Sequence, residues 1–382
     1  MKKIYFDNNA TTPLDPAVRE AMLPYLDDRF GNPSSGHRFG EDASEAVAQA
    51  RSKIAALING SPSGIIITSG GTESNNMAIH SAVSSSPEKK HLITSQVEHP
   101  SVLKPLQHLQ SKGYDLEILP VSEDGGLDLD RLEKAIRPDT ALVSLIGANN
   151  ETGVLWPIQK IGEICRAKSV LFHCDAVQMP HKEDIDIANL PIDYLTLAAH
   201  KMHGPKGCGA LYAQPHAPLR PLILGAGQER GLRAGTENVA GIVGFAKAAE
   251  IAKDKLQHSR KAVAGLRDHL ENGILEKISG AKINGHSQPR LVNTINVSFQ
   301  NVSAAAVIQD LDERGFAVSA QSACHSGDLD PSHVLTAMNV PDDSIHGTLR
   351  ISLSRFNTME ETDGFLDLLI TLVKKSRSFA AL

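Results

Sequence analysis

The sequence predicts an α/β protein: a large domain with a mostly parallel sheet flanked by helices, joined to a smaller α+β domain. Three observations carry this expectation. From about residue 45 to 250, apolar β-branched runs alternate with helical-period segments, the pattern of βαβ units. A single long helical stretch then spans roughly 240–278, and beyond it strands and helices mix without alternation. No repeat, low-complexity run or long linker breaks the chain, so the two parts are expected to pack as one unit.

The elements follow in order. "SEAVAQARSKIAALI" has a helical period and precedes the first strand, "GIIITS" at 64–69. Further strands are "HLITS" (91–95), "LEILPV" (116–121), "ALVSLIG" (141–147), "VLFHC" (170–174), "YLTLAA" (194–199) and "GALYA" (209–213). Each is a short apolar run bounded by polar or turn residues. "DLDRLEKAIR" is a helix with an aspartate at its start. In the second part, "LVNTINVSF" and "TLRISLS" are strands.

Bulk properties narrow the function. At 382 residues the chain exceeds the roughly 150 residues of a typical domain. A formal charge of −6 without a basic run argues against nucleic acid or an anionic membrane as partner. The apolar runs are too short to span a bilayer, and the first residues carry no apolar leader segment, so a cytoplasmic location is expected. The four cysteines, at 165, 174, 208 and 324, form no CxxC pair and no zinc spacing. Cys165, Cys174 and Cys208 sit in apolar or strand-like surroundings and read as small buried hydrophobes. Cys324 lies in "SAQSACHSGDLDPSHVL", a polar stretch with neither strand nor helix pattern, which makes its thiol a candidate nucleophile on a mobile loop.

Ligands of open α/β sheets bind beyond the carboxyl ends of the strands, so the residues after each strand matter most. "SGGTESNN" follows the first strand: the N–H groups of Gly71 and Thr72 at a helix start would hold a phosphate, although the same residues suit an ordinary capping box. His99 of "QVEHP" is either a turn residue or a catalyst, and Asn149 and Asn150 follow the tip of the fourth strand. Asp175 ends "VLFHCD", where a carboxylate behind an apolar strand needs a cation, and Gln178 lies just past it. Lys201 follows the sixth strand between His200 and His203. Elsewhere such a lysine would be a solvated charge, but here it suits a Schiff base with a cofactor aldehyde. A phosphate cradle, a carboxylate, a planar ring and a lysine at strand ends are the parts that pyridoxal 5′-phosphate requires.

The chain also resembles a family. "YFDNNATTPLDP", "FGNPSSGHRFG", "TSGGTESNN", "EHPSVL", "ANNETGVLWPI", "CDAVQ", "HKMHGPKG", "GQERGLRAGTEN", "SACHSGDLDPSHVL" and "HGTLRISLSRF" together look like the cysteine desulfurases of the NifS/IscS kind. These belong to the class V aminotransferase group of fold type I enzymes, and the likeness runs from about residue 4 to 375. The resemblance implies a large cofactor-binding domain over 13–258 and a small domain, 1–12 with 259–382, that carries the cysteine loop. It implies that Lys201 binds the cofactor aldehyde, Asp175 its ring nitrogen and Gln178 its phenolic oxygen, with His99 stacked on the ring. Thr72 and His200 would bind the phosphate with Thr236 of a second subunit, so a homodimer is implied. Asn32, Asn150 and Arg350 would hold the carboxylate of L-cysteine, although Arg350 taken alone reads as a surface strand charge. Cys324 would take the substrate sulfur as a persulfide, releasing L-alanine, and hand it to an acceptor protein such as an iron–sulfur scaffold.

Three positions depart from the family pattern. Gln321 stands where glycine is common, His325 follows the cysteine where small residues are usual, and Ala198 replaces a hydroxyl or thiol three residues before Lys201. They bear on the rate and on thiol reactivity. The alternative activities on the same residues are a selenocysteine lyase or another class V enzyme; an aminotransferase has no use for the Cys324 thiol.

Overall fold

The computed structural model describes residues 3–320 and 331–380. The chain opens with β1 (Ile4–Tyr5), α1 (Pro16–Met22) and α2 (Arg38–Leu57). It continues through β2 (Ile65–Thr68), α3 (Gly71–Ser85), β3 (His91–Ser95), α4 (Pro100–Ser111), β4 (Asp115–Leu119) and α5 (Leu129–Ala135). Next come β5 (Thr140–Ile146), α6 (Ile158–Ala167), β6 (Leu171–Asp175), β7 (Tyr194–Ala198) and β8 (Gly209–Ala213). The long helix α7 (Val239–Lys277) leads to β9 (Ala281–Ile283), β10 (Thr294–Phe299), α8 (Ala304–Glu313) and β11 (Phe316–Ala317). The described residues end with α9 (His333–Ala337), α10 (Asp342–Ile345), β12 (Thr348–Ser352) and α11 (Met359–Ala380).

All seven strands expected between 64 and 213 join one sheet in the order β2-β8-β7-β6-β5-β3-β4. Only β8 runs against its neighbours; β7, β6, β5, β3 and β4 are parallel, so their carboxyl ends share one edge. The central strands are buried throughout, which is why they read as unbroken apolar runs. Alternate side chains still serve opposite faces. Ile65 and Ile67 pack with Val47 and Ile54 of α2, Ile161 of α6 and Phe245 of α7. Ile66 turns the other way, toward Met77 and Ile79 of α3 and Leu106 of α4.

A second core forms around the antiparallel sheet β12-β10-β9. The two cores are linked by α7, whose 39 residues reach roughly 58 Å. Its first half packs Ile242 and Phe245 on the large sheet, while Leu270 and Ile274 of its second half join β10 and β12. The first strand belongs here as well, because β1 pairs in parallel with β11. Phe6 is fully buried against Phe316 and Phe365, with ring centroids 6.0 and 5.3 Å away, a burial that contributes roughly 1.5–3 kcal/mol. Among the described residues no helix is long and apolar enough to cross a membrane.

A buried histidine sits inside the large sheet, among other polar residues of its strands. His173 on β6 is fully buried, with Nδ1 2.8 Å from Ser144 Oγ and Nε2 3.0 Å from Thr196 Oγ1. Burial pushes its pKa from 6.5 down to about 4. Below pH 6.5 the unfolded chain therefore binds a proton that the folded one refuses, and stability falls until the pH reaches the folded value. This group alone should remove roughly 3 kcal/mol between pH 7 and 4. Urea unfolding at stepped pH checks this, and His173→Asn should flatten the slope; an unchanged slope would show that other groups set it.

Candidate functional site

A cavity of about 240 Å3 opens at the carboxyl edge of the large sheet. The last residues of three parallel strands line it: Ile146 of β5, Asp175 of β6 and Ala198 of β7. Gly71, Thr72, His99, Asn150, Gln178, His200, Lys201 and Arg350 complete the expected residues that it gathers.

Asp175 is 4 % exposed. No side-chain cation pairs with it among the described residues; instead Asn75 Nδ2 donates to Oδ2 at 2.7 Å and the Val177 amide donates to Oδ1 at 3.1 Å. The same Asn75 nitrogen donates to Ser101 Oγ at 2.8 Å, and Ser101 Oγ lies 2.7 Å from His99 Nδ1. His99 is the N-cap of α4, an unusual residue in that place, and its Nδ1 accepts from the Ser101 amide at 3.1 Å. An amide N–H can only donate, so Nδ1 carries no proton and the hydrogen of a neutral ring is on Nε2. Pro100 at the first helical position fixes the turn that presents the ring. The imidazole and the carboxylate are thus held by one chain of hydrogen bonds.

Behind this network lies Glu98, fully buried and accepting from Ser95 Oγ at 2.7 Å and the Ile146 amide at 3.0 Å. Burial, with Asp175 nearby, pushes its pKa up to about 8. At neutral pH Glu98 is therefore mostly protonated, and a second negative charge beside Asp175 is avoided.

Lys201 closes the short 3-10 turn after β7, and its Nζ donates to the carbonyls of Asn9 at 2.6 Å and Ala10 at 2.8 Å. His200 lies beside it, 3.1 Å from Thr11 Oγ1, with its pKa lowered to about 4 by burial and by Lys201 and Lys206. Helix α3 starts at Gly71 behind Gly70, which offers no capping side chain. The capping-box expectation is met in part: Glu73 Oε2 accepts from the Ser69 amide at 2.8 Å, but its carboxylate also clasps Arg233 at 2.9 and 3.1 Å. Gly70 approaches β8 so closely that a Cβ on Gly209 would lie 2.6 Å from its backbone. The uncapped helix start, next to His200, fits an anionic phosphate.

Arg350 of β12 is 1 % exposed. Its Nη2 pairs with Asp7 Oδ1 at 2.7 Å and its Nη1 donates to the Asn150 carbonyl at 3.2 Å, leaving Nε without a partner among the described residues. A guanidinium with unused donors at a cavity wall suits a carboxylate ligand.

Two expected residues are not gathered here, and a third lies outside the described residues. Asn32 is exposed, and its Oδ1 accepts from the Ser34 amide at 2.9 Å in a local turn. Thr236 is exposed and lines a separate hollow with Cys208 and Glu229. Cys324, with Gln321 and His325, lies outside the described residues. The other thiols match their reading: Cys165, Cys174 and Cys208 are buried, and burial raises their pKa to about 12, well above the ordinary value, and to about 11 respectively. Asn9, Asn75, Ser101 and Asp7 were not singled out from the sequence. Asn75 lies in the quoted "TSGGTESNN", where its position in the second helical turn is the only hint.

Comparison with known proteins gives a consistent result. The model of the family "Aminotransferase class-V" matches residues 4–365. A cysteine desulfurase from a Nostoc species is 45% identical over 380 residues, covering 100% of this chain and 95% of the relative. A solved NifS-like protein superposes with a TM-score of 0.92 at 39% identity, covering 98% of this chain and 100% of the other. A structure titled SspA in complex with cysteine superposes with a TM-score of 0.82 at 38% identity, covering 94% of this chain and 100% of that one.

The hydrogen-bond chain predicts an unequal cost for two neighbouring asparagines. Asn75→Ala strips the buried Asp175 and Ser101 of a donor and should destabilise by about 1–3 kcal/mol. Asn76→Ala, which removes only a bond to the Thr72 carbonyl at 2.8 Å, should stay within roughly 0.5 kcal/mol. Denaturant unfolding decides, equal losses being the contrary result.

Proposed function

Because the chain belongs to the class-V aminotransferase family and, within it, to the cysteine desulfurases, we propose that the cavity at the sheet edge converts L-cysteine to L-alanine. The observation that carries this reading is the convergence of Lys201, Asp175 and Arg350, from three different strands or strand ends, on one small cavity. Such a set suits an amino acid bound through its carboxylate next to a pyridoxal cofactor. When bound, pyridoxal 5′-phosphate supplies an aldehyde for Schiff-base chemistry and an electron-withdrawing pyridinium ring. Thr72, the α3 amide groups and His200 would hold its phosphate, Asp175 would keep the ring nitrogen protonated, Gln178 would meet the phenolic oxygen and His99 would lie over the ring.

The protein's own groups then divide the work. Arg350 orients the substrate carboxylate, with Asn150 and Asn32 as the other proposed contacts. Lys201 Nζ, freed when the substrate amine takes its place, moves the proton from Cα. His99, protonated only at Nε2 when neutral, can give that proton and take it back at the same nitrogen. Cys324 is the sulfur carrier: its thiolate attacks the substrate sulfur, an S–S bond forms as the Cβ–S bond breaks, and the electron pair stays on carbon, where protonation gives alanine. The persulfide passes to an acceptor thiol, for iron–sulfur cluster assembly or other sulfur transfer. We propose further that the working unit is a cytoplasmic homodimer in which Thr236 reaches the partner's phosphate site, and that residues 13–258 form the large domain and 1–12 with 259–382 the small one. In support, Thr236 is exposed and lines a hollow other than its own chain's cavity.

Lys201→Ala should abolish alanine release, because one amine serves both for cofactor attachment and for proton transfer. After brief exposure of the wild type to L-cysteine without reductant, mass spectrometry should find one added sulfur atom on the Cys324 peptide. Cys324→Ala should still bind the cofactor and the substrate while releasing almost no alanine. Sulfur recovered on Cys174 or Cys208 instead would refute the carrier assignment.

A further inference from the structure

Lys182 is a buried lysine that the reaction above does not use. Two successive turns carry the chain to it from Asp175, closed by Met179 N–H to the Ala176 carbonyl at 2.9 Å and Lys182 N–H to the Met179 carbonyl at 3.0 Å. The residue is 2 % exposed. Its Nζ donates to Gln178 Oε1 at 2.8 Å and lies 3.4 Å from Asn9 Oδ1, and no carboxylate pairs with it among the described residues. The charged or titratable groups that act on it, or on which it acts, are Lys201, Arg350, His181 and His203. Burial, Lys201 and Arg350 all hold its pKa well below the ordinary lysine value. An amine placed here weakens the fold rather than strengthening it, so its use must be sought in what it touches.

What it touches is the amide of Gln178, which is 3 % exposed and lines the cavity. An amide side chain can turn over by 180°, exchanging donor for acceptor at nearly the same positions. Here two contacts of opposite sense forbid the exchange. Nε2 donates to the Asn9 carbonyl at 2.9 Å, while Oε1 receives the lysine. Turned over, Oε1 would face the Asn9 carbonyl, an acceptor against an acceptor. With both contacts in place, the second Nε2 hydrogen is the group that Gln178 offers to the cavity.

We propose that Lys182 is a positioning residue: it locks the Gln178 amide so that the cavity meets a donor, and so gives the site its preference for a ligand with an acceptor oxygen at that point. Resting on the pyridoxal 5′-phosphate reading, the inference assigns that oxygen to the phenolic group of the cofactor.

The test compares two ligands on the full-length chain stripped of cofactor: pyridoxal 5′-phosphate and its analogue lacking the 3-hydroxyl, with affinities from fluorescence titration. Wild type should prefer the cofactor by roughly tenfold or more, the worth of one hydrogen bond to a charged oxygen. In Lys182→Met the preference should shrink to within about twofold, and in Lys182→Gln, which keeps a donor at this place, most of it should return. Lys182→Glu, an acceptor that the neighbouring cations can tolerate, should draw Nε2 away and also abolish the preference; it carries the test if the methionine variant does not fold. Equal weakening for both ligands, with the wild-type ratio kept in the methionine or glutamate variant, overturns the inference and leaves Lys182 a structural residue. Failure of the wild type to bind either ligand overturns the cofactor reading instead.

Discussion

The site depends on one buried residue near the start of the chain, Asn9. Its backbone carbonyl accepts from Lys201 Nζ at 2.6 Å and from Gln178 Nε2 at 2.9 Å. On its other side, its amide donates to Ser352 Oγ at 2.9 Å, Nδ2 donates to Thr294 Oγ1 at 2.9 Å, and Oδ1 accepts from Asn293 Nδ2 at 3.0 Å. One residue, 1 % exposed, is therefore bonded to the large sheet's carboxyl edge and to the strands that carry Arg350. Buried polar groups must find partners, and Asn9 finds them both in the cavity wall, at Lys201 and Gln178, and in the second core's strands. The two cores are held in register at the point where the ligand-binding groups meet.

The charges around that point follow from what can be buried at acceptable cost. Lys182, Lys201 and Arg350 bring positive charge or its potential, and Arg350 is partly balanced by Asp7 at 2.7 Å. On the negative side, Asp175 is kept hydrogen-bonded, while Glu98, its pKa raised to about 8, is mostly neutral. A cavity of this balance attracts anions, and both expected ligands bring them: a phosphate, and an amino acid's carboxylate. The uncapped start of α3 adds a further positive pole.

The strand tips were legible because each apolar run ends abruptly in a polar residue, as "VLFHCD" does at Asp175 and "YLTLAAHK" does at Lys201. Parallel order then brings those tips to one edge. Asn75 and Ser101 were not read because they sit within the first two turns of α3 and α4, where polar residues usually mean no more than capping. Asn9 and Lys182 were illegible for another reason: the bonds that give them meaning join residues up to 343 positions apart, and no periodicity records such a contact. Resemblance supplied Arg350, which composition alone suggested as a surface charge, and the fold buries it completely.

The same long-range pairing ties two further segments to the cavity. Ser319 exchanges backbone hydrogen bonds with Arg350, its amide donating at 3.2 Å and its carbonyl accepting at 2.7 Å. Downstream, Ser332 Oγ donates to Glu151 at 2.5 Å, and His333 Nε2 lies 3.0 Å from the carbonyl of Glu98. Glu151 and Glu98 are the immediate neighbours of Asn150 and His99, two residues of the cavity wall. Contacts at Ser319 and at Ser332 and His333 thus hold these segments beside residues that line the cavity.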